Sequence, residues 1–423
     1  MSQRPIPHLR WGVAAMLCLA SELNYLDRQT LSVLAATIQA DLGLSDVAYS
    51  HITSTFLMSY TVMYAVAGRL VDALGTRRSF LVFVSGWSVA NMLHGLARTA
   101  LQLSLFRFLL GAAEPANFPA GLKAVSEWFP MRERALAVGI FNAGTAVGGA
   151  FAVPVVSFIA LRWGWRWAFV GTGALGFAWV LAWALFYRLP QDHPRLGAAE
   201  RALILGDGAK SGEPPNPPPV SVRQVLRMRE AWGCILARAL TDPISYFLNF
   251  WIPKYLQAER GFTLAALGRY GWIPFAALAA GNIFSGAVPR LLIARGWPLD
   301  RARKATMLAV SCAMPVLCFL VTRVESQAWA LAIVSALFFG HAAWGNITLP
   351  AEVFPRHAVG TVTGLGGALG GLMGVLTQLA IGWVVQNLSF APIFAAISVA
   401  YLLALALVQL LIGELGRVRE VIS

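Results

Sequence analysis

Charge is scarce in this chain. Only 13% of its 423 residues are Asp, Glu, Lys or Arg, about half the share found in soluble domains. A water-soluble globule is therefore excluded. Cysteine is scarcer still. Cys18, Cys234, Cys312 and Cys318 each lie within an apolar run, and no two form a C-x-x-C pair. That excludes a disulfide framework and a zinc site, and leaves four small apolar side chains. No hydrolytic triad, metal cluster or cofactor motif is present, so an enzyme is not expected and no cofactor is implied. A cleavable leader does not explain the first apolar run, because Trp11 to Ile38 is long, contains charges and lacks a small-residue cleavage site.

What fills the sequence is apolar. Hydrophobic residues make up 57% of the chain, and the mean hydropathy is +0.63. They gather in runs long enough for a helix to cross about 30 Å of hydrocarbon. The runs fall at 11–38, 47–68, 79–97, 100–121, 136–160 and 165–187, then at 232–257, 267–289, 305–323, 327–349, 359–386 and 391–415. The pattern predicts an all-α membrane protein of twelve transmembrane helices in two six-helix bundles, 1–187 and 231–423, joined by a linker at 188–230. Within the linker, EPPNPPPV (Glu213 to Val220) cannot be helical throughout. A short surface helix is expected near Ala198 to Leu205.

The net charge of +13 invites a nucleic-acid reading, but its distribution gives a simpler one. With the N-terminus inside, about 23 basic residues fall on the inner side and about seven on the outer side. Such a bias sets both termini in the cytoplasm, and nucleic acid is not needed as a partner. The halves also repeat. Glu127-Trp-Phe-Pro130 with Gly139 is echoed by Glu352-Val-Phe-Pro355 with Gly364, about 225 residues later. Two like-oriented halves are a common transporter plan, with the solute site between them at mid-membrane.

Charges inside the runs carry the mechanism, since each is costly in hydrocarbon unless paired or wet. The first span holds Glu22, Asp27 and Arg28. The fourth holds Arg107 and Glu114, seven apart and so on one helix face, and the seventh holds Arg238 and Asp242 one turn apart. Each set combines a carboxylate with an arginine. Either the pairs neutralise each other and pin helices, or the arginines meet an anionic solute while the acids carry protons. Tyr60 and Tyr64 lie one turn apart and either line the cavity or mark an interface. Glu22 either faces the cavity or neutralises an arginine. His51 and His94, near span ends, read as interfacial or packing residues. Trp163 to Trp167 reads as part of an aromatic belt. A hydrophobic-cation/proton antiporter is a rival, but the arginines argue against it.

The loop Gly68-Arg-Leu-Val-Asp72-Ala-Leu-Gly75-Thr-Arg77-Arg78 resembles the loop signature of the major facilitator superfamily, and its Asp and Arg residues suggest a breakable inner latch. NYLDRQTLSV from Asn24, RFLLGAAEPANFPA from Arg107 and EWFPMRERALAVGIFNAGTAVGG from Glu127 resemble the anion:cation symporter family within it. LTDPISYFLNFWIPKYL from Leu240 and GHAAWGNITLPAEVFPRHAVGTVTGLGG from Gly340 extend the likeness, which is greatest to bacterial hexuronate carriers. That resemblance implies the major facilitator fold and proton-coupled import of a small organic anion through the cell's inner membrane by one monomer. It implies that Arg28 and Tyr25 hold the carboxylate, that Asp27 and Glu114 carry protons, and that Arg107 modulates Glu114. Tyr60, Tyr64, Asn142, Thr145, Asn249, His341, Trp344 and Asn346 are the remaining expected substrate contacts. Thr145 stands where glucarate and galactonate carriers usually have glutamine, and Ala342 where hexuronate carriers often do.

Overall fold

The computed structural model describes residues 6–210 and 221–416. The proline run Glu213 to Val220 and the basic residues Arg4, Arg417 and Arg419 lie outside them. Among the described residues every extended element is helical. The first half comprises α1 (Leu9–Val33), α2 (Ala35–Leu42), α3 (Asp46–Leu74), α4 (Thr76–His94), α5 (Ala100–Ala113), α6 (Asn117–Trp128), α7 (Met131–Trp163) and α8 (Trp165–Phe186). Two short helices follow, α9 (Ala198–Lys210), at the expected surface-helix position, and α10 (Val222–Leu226). The second half comprises α11 (Arg229–Phe250), α12 (Ile252–Arg260), α13 (Leu264–Tyr270), α14 (Ile273–Ala294), α15 (Leu299–Arg323), α16 (Gln327–Trp344), α17 (Leu349–Val353), α18 (Arg356–Asn387) and α19 (Ala391–Leu407).

Among the described residues, seven stretches are long and apolar enough to cross a bilayer. They match the expected fifth, sixth and eighth to twelfth spans. The expected first, second, third, fourth and seventh spans do not reach that mark. Three of these five hold the intramembrane acids and arginines, and the fourth is also broken. Leu101, Leu185, Ile283 and Leu410 stand 72–78% exposed, an apolar surface suited to lipid rather than water.

The chain forms two compact units. One runs from the N-terminus to Leu34 and resumes at Met58 through the first half; the other takes Ala35–Leu57 together with the second half. The units thus depart from a simple halving in one segment, and polar bonds explain it. The Tyr49 hydroxyl donates to the Phe250 carbonyl at 2.7 Å. Thr53 Oγ1 lies 3.1 Å from Gln378 Oε1, which also accepts from the Trp251 indole at 2.7 Å. Asp46 forms an ion pair with Lys254 and accepts from Gln39 at 2.9 Å. In the other unit, Arg10 joins Glu133 and Glu200 at 2.8 and 2.6 Å, fastening α9 to the starts of α1 and α7.

Glycine sets the closest helix approaches. A Cβ on Gly144 or Gly148 of α7 would strike the Cys18 or Glu22 carbonyl oxygen of α1. A Cβ on Gly370 or Gly374 of α18 would strike Asp242 or Tyr246 of α11. The two glycine pairs stand 226 residues apart, so the repeat read from the Glu-x-Phe-Pro motifs also governs how the helices pack. The fourth and tenth rods share an interruption as well. A 3-10 turn at Glu114–Ala116, with Pro115 lacking an N–H, separates α5 from α6. A left-handed Gly345 (φ 69°) and a 3-10 turn at Asn346–Thr348 separate α16 from α17.

Candidate functional site

In the first unit, polar residues of α1 meet the break between α5 and α6. Arg28 donates through Nε and Nη2 to Glu114 Oε2 at 3.0 and 2.7 Å. Its guanidinium lies 4.7 Å from the Tyr25 ring centroid and 4.8 Å from that of Tyr60. A cation between two aromatic rings and a carboxylate keeps its charge stabilised in a dry setting. Tyr60 stacks on Tyr64, with ring centroids 6.0 Å apart. Glu114 is fully enclosed, and its Oε1 has no hydrogen-bond partner among the described residues.

Arg107 and Glu114 share a helix face, yet they do not bond to each other. Arg107, also buried, turns both terminal nitrogens to the Arg28 carbonyl oxygen at 3.4 Å. The ion pair therefore runs between α1 and the α5–α6 break, and Arg107 supports the backbone beneath Arg28. Asp27 points elsewhere. It is fully buried and accepts from Asn91 Nδ2 at 2.6 Å, while its Oδ2 has no partner among the described residues. Asn91 in turn lies 2.7 Å from Thr172 Oγ1. Sequence reasoning missed Asn91 and Thr172; their only signal was a polar residue inside an apolar run. Glu22 is half-buried on α1, with its backbone against Gly148. Asn142 is exposed on α7, and Thr145 bonds back to the Asn142 carbonyl at 2.8 Å.

In the second unit the interruption at Gly345 sets Asn346 toward α11. Asn346 Nδ2 donates to Thr241 Oγ1 at 2.7 Å and to Asp242 Oδ1 at 3.1 Å. Asp242 Oδ2 accepts from Arg238 Nε and Nη2 at 3.0 and 2.8 Å, and Arg238 Nη1 reaches the Thr363 carbonyl at 2.9 Å. His341 Nδ1 lies 2.7 Å from the Tyr401 hydroxyl. Trp344 is enclosed, with its indole donating to Ser311 at 3.0 Å and its ring centroid 6.0 Å from that of Tyr401, the partner of His341. Asn249 bonds to the Ser245 carbonyl of its own helix at 2.8 Å.

The loop signature behaves differently. Gly75 takes φ 74°, which lets α3 turn directly into α4; Gly68 lies within α3 with open space at its Cα. Asp72 pairs with Lys123 of α6 at 2.8 Å and not with Arg77 or Arg78. Arg77 donates to the Ala184 carbonyl at 2.7 Å, and Arg78 is exposed. Glu127, from the repeated motif, accepts from Thr76 at 2.8 Å and from Tyr187 at 2.6 Å. Among the other expected packing residues, His94 is buried and stacked on Phe169, with centroids 5.0 Å apart. His51 is exposed. In the linker, His193 lies 3.1 Å from the Phe186 carbonyl, and burial first of all pushes its imidazole below the ordinary value.

The Major Facilitator Superfamily profile matches residues 17–378. The hexuronate transporter of Escherichia coli K12 is 35% identical over 407 residues, covering 95% of this chain and 93% of its own. A galacturonate transporter of Dickeya chrysanthemi is 37% identical over 286 residues, covering 68% of this chain and 83% of its own. A D-galactonate transporter of Escherichia coli O6:H1 is 29% identical, covering 97% of each. The fold is that of a bacterial homologue of the human lysosomal transporter Spinster solved inward-facing and unoccupied, with a TM-score of 0.70, 18% identity and 96% of each chain covered.

Proposed function

This chain belongs to the Major Facilitator Superfamily, and from that premise we propose that it is a secondary transporter importing a hexuronate together with a proton. The Arg28 arrangement carries the reading. A guanidinium that already holds a carboxylate oxygen through two N–H groups, close to two tyrosine rings, is a preformed seat for the carboxylate of a sugar acid. An arriving substrate carboxylate competes with Glu114 for the fork. Once displaced, Glu114 sits in a dry enclosure without its cation, and neutralisation by a proton is its least costly state. Anion and proton then favour each other's binding, which is the coupling a symporter needs. Asp27, with one enclosed oxygen lacking a partner, is the second acid able to hold a proton. A hydrophobic cation would meet Arg28 and Arg107, which counts against an antiporter.

The remaining roles follow from the same reading. Tyr25, Tyr60 and Tyr64 frame the carboxylate seat. Asn142, Thr145, Asn249, His341, Trp344 and Asn346 are assigned to the sugar by the same reading. Gly68, Asp72, Gly75, Arg77 and Arg78 belong to an inner latch that opens and closes through alternating access, with Lys123 as the partner of Asp72. The chain crosses the bacterial inner membrane twelve times as a monomer, with both termini in the cytoplasm. Hexuronate and galacturonate carriers share more identity with it than the D-galactonate carrier does, which favours a uronate over an aldonate.

Proteoliposomes test the proposal. Labelled glucuronate is expected to accumulate when an inward proton gradient is imposed, and galacturonate to compete. Uptake that ignores the gradient would overturn proton coupling. Uptake of small monocarboxylates with no competition by either uronate would overturn the substrate class.

A further inference from the structure

A groove of about 370 Å³ opens on the second unit between α14, α15 and α16. Phe284, Val288 and Leu292 line it from α14 at four-residue spacing, so one helix face points into it. Ala305, Ala309 and Ala313 line it from α15 at the same spacing, and their small side chains leave it open. Thr306, the single polar side chain among the lining residues, spends its hydroxyl proton on the Ala302 carbonyl at 2.9 Å. Water would find too few partners there, and a lipid-facing helix bundle has hydrocarbon at hand to fill it.

The mouth of the groove has a different chemistry. Continuing each lined face by one turn leads to Arg295 at the end of α14 and to Arg301 at the start of α15. Both are exposed. The Arg301 guanidinium lies 4.7 Å from the Trp297 ring centroid. Of the nearby acids, Asp300 is engaged with Lys304 at 2.7 Å and the Leu415 N–H at 2.8 Å, and Glu352 with Arg303 at 2.8 Å, while Glu414, next to Leu415, is exposed. Neither Arg295 nor Arg301 has a carboxylate partner among the described residues. An apolar slot ending in two uncompensated guanidinium groups and an interfacial indole matches one ligand in charge and polarity. We infer that the groove binds an anionic phospholipid, with an acyl chain along α14 and α15 and the phosphodiester held between Arg295 and Arg301. This is separate from the solute site and does not depend on which anion is carried.

The purified full chain in detergent, titrated with dioleoyl phosphatidylglycerol or dioleoyl phosphatidylcholine and read by native mass spectrometry, decides the matter. Phosphatidylglycerol adducts are expected to persist where phosphatidylcholine adducts dissociate. Arg295→Gln with Arg301→Gln should erase that preference, at roughly fivefold in affinity for each arginine, while thermal unfolding stays as in the parent. Ala309→Trp, which fills the slot, should lower retention of both lipids. Equal retention of the two lipids, or an undiminished preference in the double glutamine variant, would overturn the site. So would displacement by free glycerol 3-phosphate, which would mark a phosphate site without a chain, or a dimer that excludes lipid from this face.

Discussion

At the residue scale, the reading turns on which carboxylate owns which arginine. Spacing placed Arg107 and Glu114 on one helix face, but facing is not pairing. Glu114 lies in the 3-10 turn before Pro115, and that turn swings its carboxylate to Arg28 at 2.7 Å. Arg107 is left to the Arg28 carbonyl. Sequence periodicity assumes an unbroken helix, so it could name the charged residues and not their partners. Arg28→Ala should therefore do two things at once. It removes the seat and strands a buried Glu114, and loss of one member of a buried pair costs about 3–5 kcal/mol. Binding of glucuronate, followed by calorimetry, should become undetectable; retained affinity would take Arg28 out of the substrate's path. Glu114→Gln keeps the shape and a hydrogen-bond acceptor for Arg28 but cannot lose a proton. Exchange of labelled for unlabelled substrate should continue while gradient-driven accumulation stops. Accumulation at the parent level would remove Glu114 from the coupling.

At the scale of elements, the helices were readable from run length and the repeat from its motifs, whereas the partners of Ala35–Leu57 were not. Apolar length reports that a segment is helical and buried, but carries no label for what buries it. Tyr49, Thr53 and Asp46 direct that segment to α11, α12 and α18 through bonds over more than 200 residues of sequence. Glycine positions are better legible once the repeat is seen. Gly370 packs where a Cβ would strike the Asp242 carboxylate, so Gly370→Ala must push α18 off α11 or turn Asp242 away from Arg238. Overpacking of this kind costs about 1–3 kcal/mol. Melting in detergent should fall by several degrees, and an unchanged melting temperature would show that the contact is soft. The linker helix α9 offers a pH test. Burial holds the His193 imidazole below its ordinary value of 6.5, so the docked state favours the neutral ring. As pH falls through 6.5, the undocked state takes up the proton first and docking weakens. Amide exchange across 193–206 should quicken at pH 5 relative to pH 7.5, once corrected for intrinsic rates. Equal protection at both values would detach His193 from the docking.

At the scale of the whole molecule, the distribution of basic residues along the sequence argues for one orientation. Seven stretches meet the length and apolarity of a membrane span among the described residues, and the five expected spans that fall short include those carrying Asp27, Arg28, Arg107, Glu114, Arg238 and Asp242. That is the bias a transporter should have, because helices around a wet site need less apolar surface than helices facing lipid. The proposed twelve crossings would put the basic excess on one side, and they predict Arg98 and Arg301 on opposite faces. The four native cysteines can be replaced by serine or alanine and single cysteines introduced at each position. A membrane-impermeant maleimide added to intact cells should label Arg98→Cys and spare Arg301→Cys, which reacts only after the membrane is opened. Labelling of both in intact cells would break the odd count of crossings between them, the fourth to eighth expected spans. Labelling of Arg301→Cys alone would keep the count and invert the protein, placing both termini outside the cytoplasm.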